Sequence, residues 1–215
     1  MSFFFWFVAT PAFATTFTVN SILDTPDNNP GDDICEATTG GTQCTLRAAI
    51  EEANANAEDT DFIEFSLGLI TINISGSPLP ALTKRVIIDG RTAPSFNNTA
   101  TGTADAPPSV YINGSGLPGT SADGFRVANA FSGNRIYAIG IIGFPDNGIE
   151  VVTSDAVIMD GNWIGTGRNG AIAGNGGAGV YIDRCERCEI GQTFTAPSQN
   201  ANIIGLGNLI ANNSE

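Results

Sequence analysis

The sequence predicts an all-β protein, a right-handed parallel β-helix whose short strands stack as a solenoid behind an N-terminal capping α-helix. Three observations carry that prediction. A helical pattern stands once, early, behind the cysteine pair Cys35 and Cys44. From Asp61 onward the chain reads as short alternating strands punctuated by Gly and Asn. Those strands then recur in a fixed order, with 22 residues between Ile142 and Ile164, the self-similarity expected of stacked coils.

The first 14 residues read as a signal peptide. The apolar run Phe3–Ala9 leads to Ala12-Phe13-Ala14, a small-x-small cleavage site near Ala14, although no basic n-region precedes it. Pro11 interrupts a run far short of the ~20 residues a membrane span needs, so no membrane span is expected. The protein is therefore expected to be secreted, extracellular or on the cell surface, a setting that permits disulfides.

Residues 15–60 form the expected cap. Cys35 and Cys44 bracket a Gly/Thr loop, and a disulfide pinning that loop to the helix start is the preferred use of the pair. The helix follows from periodicity. Leu46, Ala49, Ile50 and Ala53 fall at i, i+3, i+4 and i+7 on one face, with Arg47, Glu51, Glu52 and Asn54 mainly on the other. Thr45 serves as N-cap through its hydroxyl.

Residues 61–215 are the expected coils. FIEFS (62–66) and LITINIS (69–75) alternate in period two, with Ile70, Ile72 and Ile74 on one face. RVIIDG (85–90) is a short buried strand closed by Asp-Gly, residues 91–108 read as a surface loop, and SVYING (109–114) resumes the β pattern. The repeat proper spans 124–144, 148–166 and 179–191, each opening with Gly and a strand and entering a second strand at Ile136, Ile158 and Ile190. The first two close with Ile142-Gly143 and Ile164-Gly165. The third reaches its equivalent at GNLIAN (207–212) after an insertion through Thr193–Asn202. Gly is expected to supply the positive-φ turns, and Asn162 and Asn208 to ladder their amides between coils. A β-sandwich also has short strands and frequent turns, but does not explain this fixed order. The last residues stop where another coil should begin, so the chain is expected to be truncated at its C-terminus, the front portion of a larger protein such as an adhesin or autotransporter.

Two segments carry a family resemblance. TFTVNSILDTPDNNPGDDICEATTGGTQCTLRAAIEEANA resembles the N-terminal domain named for its Cys-Ser-Leu-Arg-Glu-Ala motif (the CSLREA domain). Here the motif stands as Cys44-Thr45-Leu46-Arg47-Ala48-Ala49, with Thr for Ser and Ala48 for Glu. DGNWIGTGRNGAIAGNGGAGV (160–180) resembles the coils that follow this domain in secreted bacterial right-handed parallel β-helix proteins. The resemblance implies an exported or surface protein whose solenoid overlaps the pectate-lyase-like class.

Charge narrows the partners. Among 215 residues the formal net charge is −13, and residues 1–64 hold eleven carboxylates against the single cation Arg47. Such a surface repels nucleic acid and anionic membranes, and keeping an exported protein soluble is its preferred role. No obligate oligomer is indicated.

Catalytic signals are thin. A polysaccharide lyase needs a cation beside the uronate carboxylate and a base. Lys84, Arg85, Arg126, Arg135, Arg168, Arg184 and Arg187 are available, none with an evident acidic cluster on its coil face. A glycosidase needs carboxylates within reach of one glycosidic bond. Asp155, Asp160 and Asp183, with Arg184, are the candidates, and Asp155 and Asp183 are expected to stack about 5 Å apart. Reading all three aspartates as turn residues is preferred, so no catalytic residue is assigned. The acidic loop offers Asp24, Asp27, Asp32 and Asp33 as oxygen ligands for calcium. It lacks the regular order of a dedicated calcium loop, and a solvated turn is preferred, with no cofactor assigned. Cys185 and Cys188 stand at C-x-x-C spacing with no histidine and no second such pair for zinc. A tight local disulfide or two packed thiols fits them better than redox catalysis. The expected function is thus a secreted or cell-surface binding and structural module contacting polysaccharide or surface ligands. The alternative is a carbohydrate-active enzyme, a polysaccharide lyase or glycoside hydrolase.

Overall fold

Apolar residues alternating over short segments give the chain strands of two to seven residues, and their pairing is parallel throughout the named strand pairs. The computed structural model describes residues 14–56, 60–97, 107–128, 133–191 and 208–214. The leader up to Phe13, the centre of the 91–108 loop, the Thr193–Asn202 insertion, Gly207 and Glu215 lie outside the described residues. The first elements are β1 (Thr16–Val19), α1 (Leu46–Ala55), β2 (Thr60–Phe65), β3 (Ile70–Ser75), β4 (Arg85–Asp89) and β5 (Val110–Gly116). Three strand triplets follow: β6 (Phe125–Ala128), β7 (Arg135–Tyr137) and β8 (Ile139–Ile142), then β9 (Ile149–Val152), β10 (Ile158–Asp160) and β11 (Trp163–Ile164), then β12 (Val180–Asp183), β13 (Glu189–Ile190) and β14 (Leu209–Ile210).

The strands sort into three sheets. One runs β1-β2-β4-β7-β10-β13, a second β14-β11-β8-β5-β3, and a third β12-β9-β6. From β6 onward the chain visits the three-, six- and five-stranded sheets in that order, and repeats the circuit for each triplet. Among the described residues the mostly β, parallel character and the single α-helix expected from sequence are therefore present. Parallel strands bury both sides of their backbone ladder only where neighbours stack on them, and here each triplet stacks on the previous one. A single apolar cluster runs from Phe17 through Ile63, Ile88, Ile136 and Met159 to Ile164.

The α1 face expected to be apolar is fully buried at Leu46, Ala49, Ile50 and Ala53, and the Thr45 hydroxyl accepts from Ala48 N–H at 3.0 Å. The opposite face departs from expectation, because Arg47 and Glu52 are buried too. The segment before the helix folds over that face. Arg47 pairs with Asp24 at 2.9 Å, and Glu52 accepts from the Gly31 and Asp33 N–H groups at 2.8 and 3.1 Å. A helix wheel cannot anticipate a loop that lies on its polar side.

Register corrects a second expectation. Met159, not Ile158, stands opposite Ile136 and Ile190 and faces the core, while Ile158 pairs with Arg135 and Glu189. Adjacent apolar residues left the phase ambiguous, and a one-residue slip exchanges the two faces of a strand. Likewise Ile164 pairs with Ile141 and Ile210, so the spacing there is 23 residues, not the 22 counted from Ile142.

The Asn ladder forms as expected. The Asn162 amide donates to Ile136 O at 2.8 Å and to Asn208 Oδ1 at 3.2 Å, and its oxygen accepts from Ile139 N–H at 3.0 Å. A second ladder joins Asn175 to Asn213 at 2.9 Å. The turns are a correction: Ala138, Thr153, Ala156, Arg184 and Arg187 hold φ between 52° and 60°, so glycine is not the only supplier of left-handed backbone. Stacking holds them there. Ala138, Thr153 and Ala156 each donate to a carbonyl of the next strand triplet, at 3.0, 2.8 and 2.8 Å.

Candidate functional site

Outward-facing residues of in-register strands line up in rows one strand spacing apart, about 4.8 Å. On the six-stranded sheet one such row runs Thr18, Glu64, Asp89, Tyr137 and Asp160. Parallel register thus gathers three carboxylates and a phenol contributed by four strands. Arg91 joins them from the 3-10 turn Gly90–Thr92, which Asp89 starts by accepting from the Arg91 N–H at 3.0 Å. That turn packs closely: a Cβ on Gly90 would lie 2.3 Å from Ala138 O, so only glycine brings the turn against the neighbouring strand.

The Arg91 guanidinium bonds Asp89 through two nitrogens, at 2.8 and 2.7 Å, and lies 3.9 Å over the Tyr137 ring. The Asp89 hydrogen bonds push the Arg91 pKa up against its partial burial. Arg135 donates to the Tyr137 hydroxyl at 3.2 Å. Tyr137 and Asp160 are nearly covered, while Arg91 keeps an exposed end. The row thus sets acceptors, donors and a ring edge side by side on one sheet.

Of the expected catalytic residues, only Asp160 falls in this row. The predicted stacking of Asp155 on Asp183 does not occur. Asp183 stands opposite Val152 in the β9–β12 pair, and the Asp155 carboxylate accepts from Glu186 N–H at 2.9 Å. Asp155 lies three residues beyond the partner of Asp183, in the turn after β9, so repeat order alone misplaced it. Arg184 pairs with Asp183 at 3.2 Å on an exposed corner.

The acidic loop is engaged at Asp24 and Asp27, whose side chains are nearly covered, while Asp32 and Asp33 are exposed, as a solvated turn would have them. Asp24 pairs with Arg47 and accepts from Ser75 N–H at 2.9 Å. Asp27 accepts from the Asn29 and Glu36 N–H groups, both at 2.9 Å. Asp32 accepts from Ile34 N–H at 3.0 Å and from the Asn29 amide at 2.9 Å, and Asp33 occupies a left-handed backbone position with φ of 65°. No group of three or more His, Cys, Asp or Glu side chains able to hold a metal ion occurs among the described residues.

Both cysteine pairs are disulfides. Cys35–Cys44 has an S–S distance of 2.01 Å and closes the loop before α1. Cys185–Cys188 closes the turn between β12 and β13. That turn stacks on residues 153–157, with Ala156 donating to Glu186 O at 2.8 Å. No helix among the described residues is long and apolar enough to cross a membrane.

Little in the sequence marks Glu64, Asp89, Arg91 and Tyr137 as a group. Asp89 read as a turn residue and Tyr137 as part of a strand, and the spacings between them are unequal. The usable signal is alternation: Glu64, Asp89 and Tyr137 each sit on the outward phase of a strand, and Arg91 follows in the turn after β4.

Comparison of the chain with protein-family models, with curated proteins and with solved structures found no match.

Proposed function

We propose that this chain is a right-handed parallel β-helix with a CSLREA-like N-terminal cap, exported from the cell, that binds polysaccharide along the outer faces of its sheets. The observation that carries the reading is the in-register row Glu64–Asp89–Tyr137–Asp160 with Arg91 bonded across it. A repeating polymer is matched best by a repeating surface, and rows spaced by the strand separation provide one. The cyclic order of the three sheets supports the β-helix, because only a coiling path returns to each sheet once per circuit. The acidic charge directs the choice toward neutral rather than anionic chains.

Binding to a panel of immobilised neutral and uronate polysaccharides tests this. Retention on a neutral polymer, weakened at least tenfold by Asp89→Ala or Arg91→Ala with the fold intact by circular dichroism, is expected. No retention on any polymer overturns it.

The enzymatic reading has one observation in its favour. Glu64 and Asp89 stand one strand apart and Asp89 and Asp160 two. These are backbone separations of about 5 and 10 Å, near the carboxyl spacings of retaining and inverting glycosidases. New reducing ends that vanish in both Glu64→Gln and Asp160→Asn would replace binding by hydrolysis as the function.

A further inference from the structure

The five-stranded sheet carries a second outward row, in which Thr71, Tyr111, Gly140, Trp163 and Leu209 stand in register. A Cβ on Gly140 would lie 2.2 Å from the Tyr111 ring, so the ring lies across the bare backbone of the next strand, toward Trp163. Tyr111 is 1% exposed and Trp163 8%. A polar hairpin lies over the Tyr111 end of this row. Residues 165–173 form a small hairpin with an antiparallel Thr166–Ile172 bridge, a Gly167 N–H bond to Ala171 O at 2.8 Å, and Gly165 and Gly170 at φ of 85° and 79°. The hairpin's Ile172 is 81% exposed. Its Arg168 holds the hairpin down. The guanidinium lies 4.7 Å from the Tyr111 ring centroid and donates to Ile70 O at 2.7 Å, Ser109 O at 2.9 Å and Pro108 O at 3.5 Å.

One atom under the hairpin is out of balance. The Tyr111 hydroxyl is buried and has no hydrogen-bond partner, a condition that costs free energy until a partner arrives. Burial also pushes its pKa upward, so it stays a neutral donor.

We propose that Tyr111, Gly140 and Trp163 form an aromatic platform for a neutral pyranose chain, and that the Arg168 hairpin is the strap that closes it in the free protein. The inference rests on the polysaccharide-binding reading above and places a second contact on a different sheet. Aromatic rings side by side on a flat sheet take the apolar C–H face of a sugar, and phenol and indole each keep a polar handle for its hydroxyls. A sugar hydroxyl supplies the partner that the Tyr111 hydroxyl lacks. Opening the strap carries Arg168 away with it, which removes the cation a uronate would need and selects for uncharged residues. The strap's glycines allow the hinge.

The test uses the full chain carrying Trp6→Phe, so that Trp163 is its only tryptophan, and follows its emission during titration with cellotetraose, maltotetraose and tetragalacturonate. A closed strap reduces apparent affinity by the fraction of chains that are open. Arg168→Ala, with Arg168→Gln as a milder second variant, is therefore expected to tighten binding of a neutral tetrasaccharide at least fivefold. Tyr111→Phe in the Arg168→Ala chain is expected to weaken it at least tenfold while leaving the melting temperature unchanged or higher. The platform is overturned if millimolar neutral tetrasaccharide leaves Trp163 emission unchanged in both Arg168 variants, or if Tyr111→Phe lowers the melting temperature. If the chain is retained on polysaccharide and Asp89→Ala abolishes this while Tyr111→Phe does not alter it, only the platform falls. If neither retention nor titration shows binding, both readings fall.

Discussion

Arg47 joins two separate stretches of chain to one helix. It bonds both Asp24 carboxylate oxygens, at 2.9 and 3.1 Å, and donates to the Ser77 and Pro78 carbonyls, both at 2.8 Å. Both side chains of the ion pair are 7% exposed, so the pair is screened little by water. Replacing a buried pair with apolar residues is often neutral, whereas removing one partner strands the other's charge. Asp24→Ala is expected to cost about 3–5 kcal/mol, and Arg47→Met less, because Met fills the space without leaving a cation. Urea unfolding of the two variants checks the order, and an Asp24→Ala loss smaller than that of Arg47→Met would refute it. This residue also marks a limit of sequence reading. Its place in the heptad-like pattern of α1 put it on the solvent side, and only contacts to residues 23 and 30–31 positions away reverse that. The same holds for Asp24, whose carboxylate resembled a metal ligand until its partner came from the helix.

At the scale of the element, the turns between strands depend on their neighbours more than on their own sequence. Thr153 is β-branched and exposed, yet holds φ of 53°, a conformation costing an L-residue roughly 1–2 kcal/mol. Glycine relieves that strain but adds about 0.5–1 kcal/mol of unfolded-state entropy. Thr153→Gly is therefore expected to be neutral or stabilising by up to about 1 kcal/mol. Gly90→Ala is expected to destabilise, since its Cβ would meet Ala138 O at 2.3 Å. Thermal melts of the two variants should move in opposite directions or leave Thr153→Gly unmoved, and a drop with Thr153→Gly would show that the stacked bond to Asp183 O needs the side chain. The strands and helix themselves were legible, because periodicity is local: α1, β4 and the Asn162–Asn208 ladder stand where the pattern put them. Register was not, because pairing phase is set by the partner strand. Hence Met159 rather than Ile158 faces the core, and the row of Glu64, Asp89, Tyr137 and Asp160 emerges only when four strands are set side by side.

Across the whole molecule, the excess of carboxylates sets how stability should respond to pH. The formal charge is −13, and three carboxyls with burial as the leading cause have raised pKa values: Glu51, Glu52 to about 7 and Asp123 to about 6. Glu52 faces Asp27 and Asp32 as well as the Gly31 and Asp33 N–H groups that bond it, with Glu51 and the Arg47–Asp24 pair close by on the cap. A carboxyl whose pKa is higher in the folded chain than in the unfolded one binds its proton more tightly when folded. Its contribution to stability is complete below the unfolded value, near 4.5 for Glu52, and is lost as pH rises through about 7. Raising pH from about 5 to 8.5 should therefore lower stability, with Glu52 alone accounting for up to about 3 kcal/mol at the ~1.4 kcal/mol carried by each pKa unit. Self-repulsion among the remaining carboxylates acts in the same direction and is screened by salt. Glu52→Gln removes one ionisation while keeping an acceptor for one of its two backbone donors, and Asp123→Asn removes one while keeping the oxygen that accepts from both the N–H and the side-chain amide of Asn147. Urea midpoints measured at pH 5.5, 7 and 8.5 should fall across the series for the natural sequence, and fall less for each variant. Added salt at pH 8.5 should recover the self-repulsion part, since it lies between exposed charges. It should leave most of the Glu52 part in place, since that cost comes from burial, so a slope erased by salt alone would assign the effect to net charge and refute the role given to Glu52.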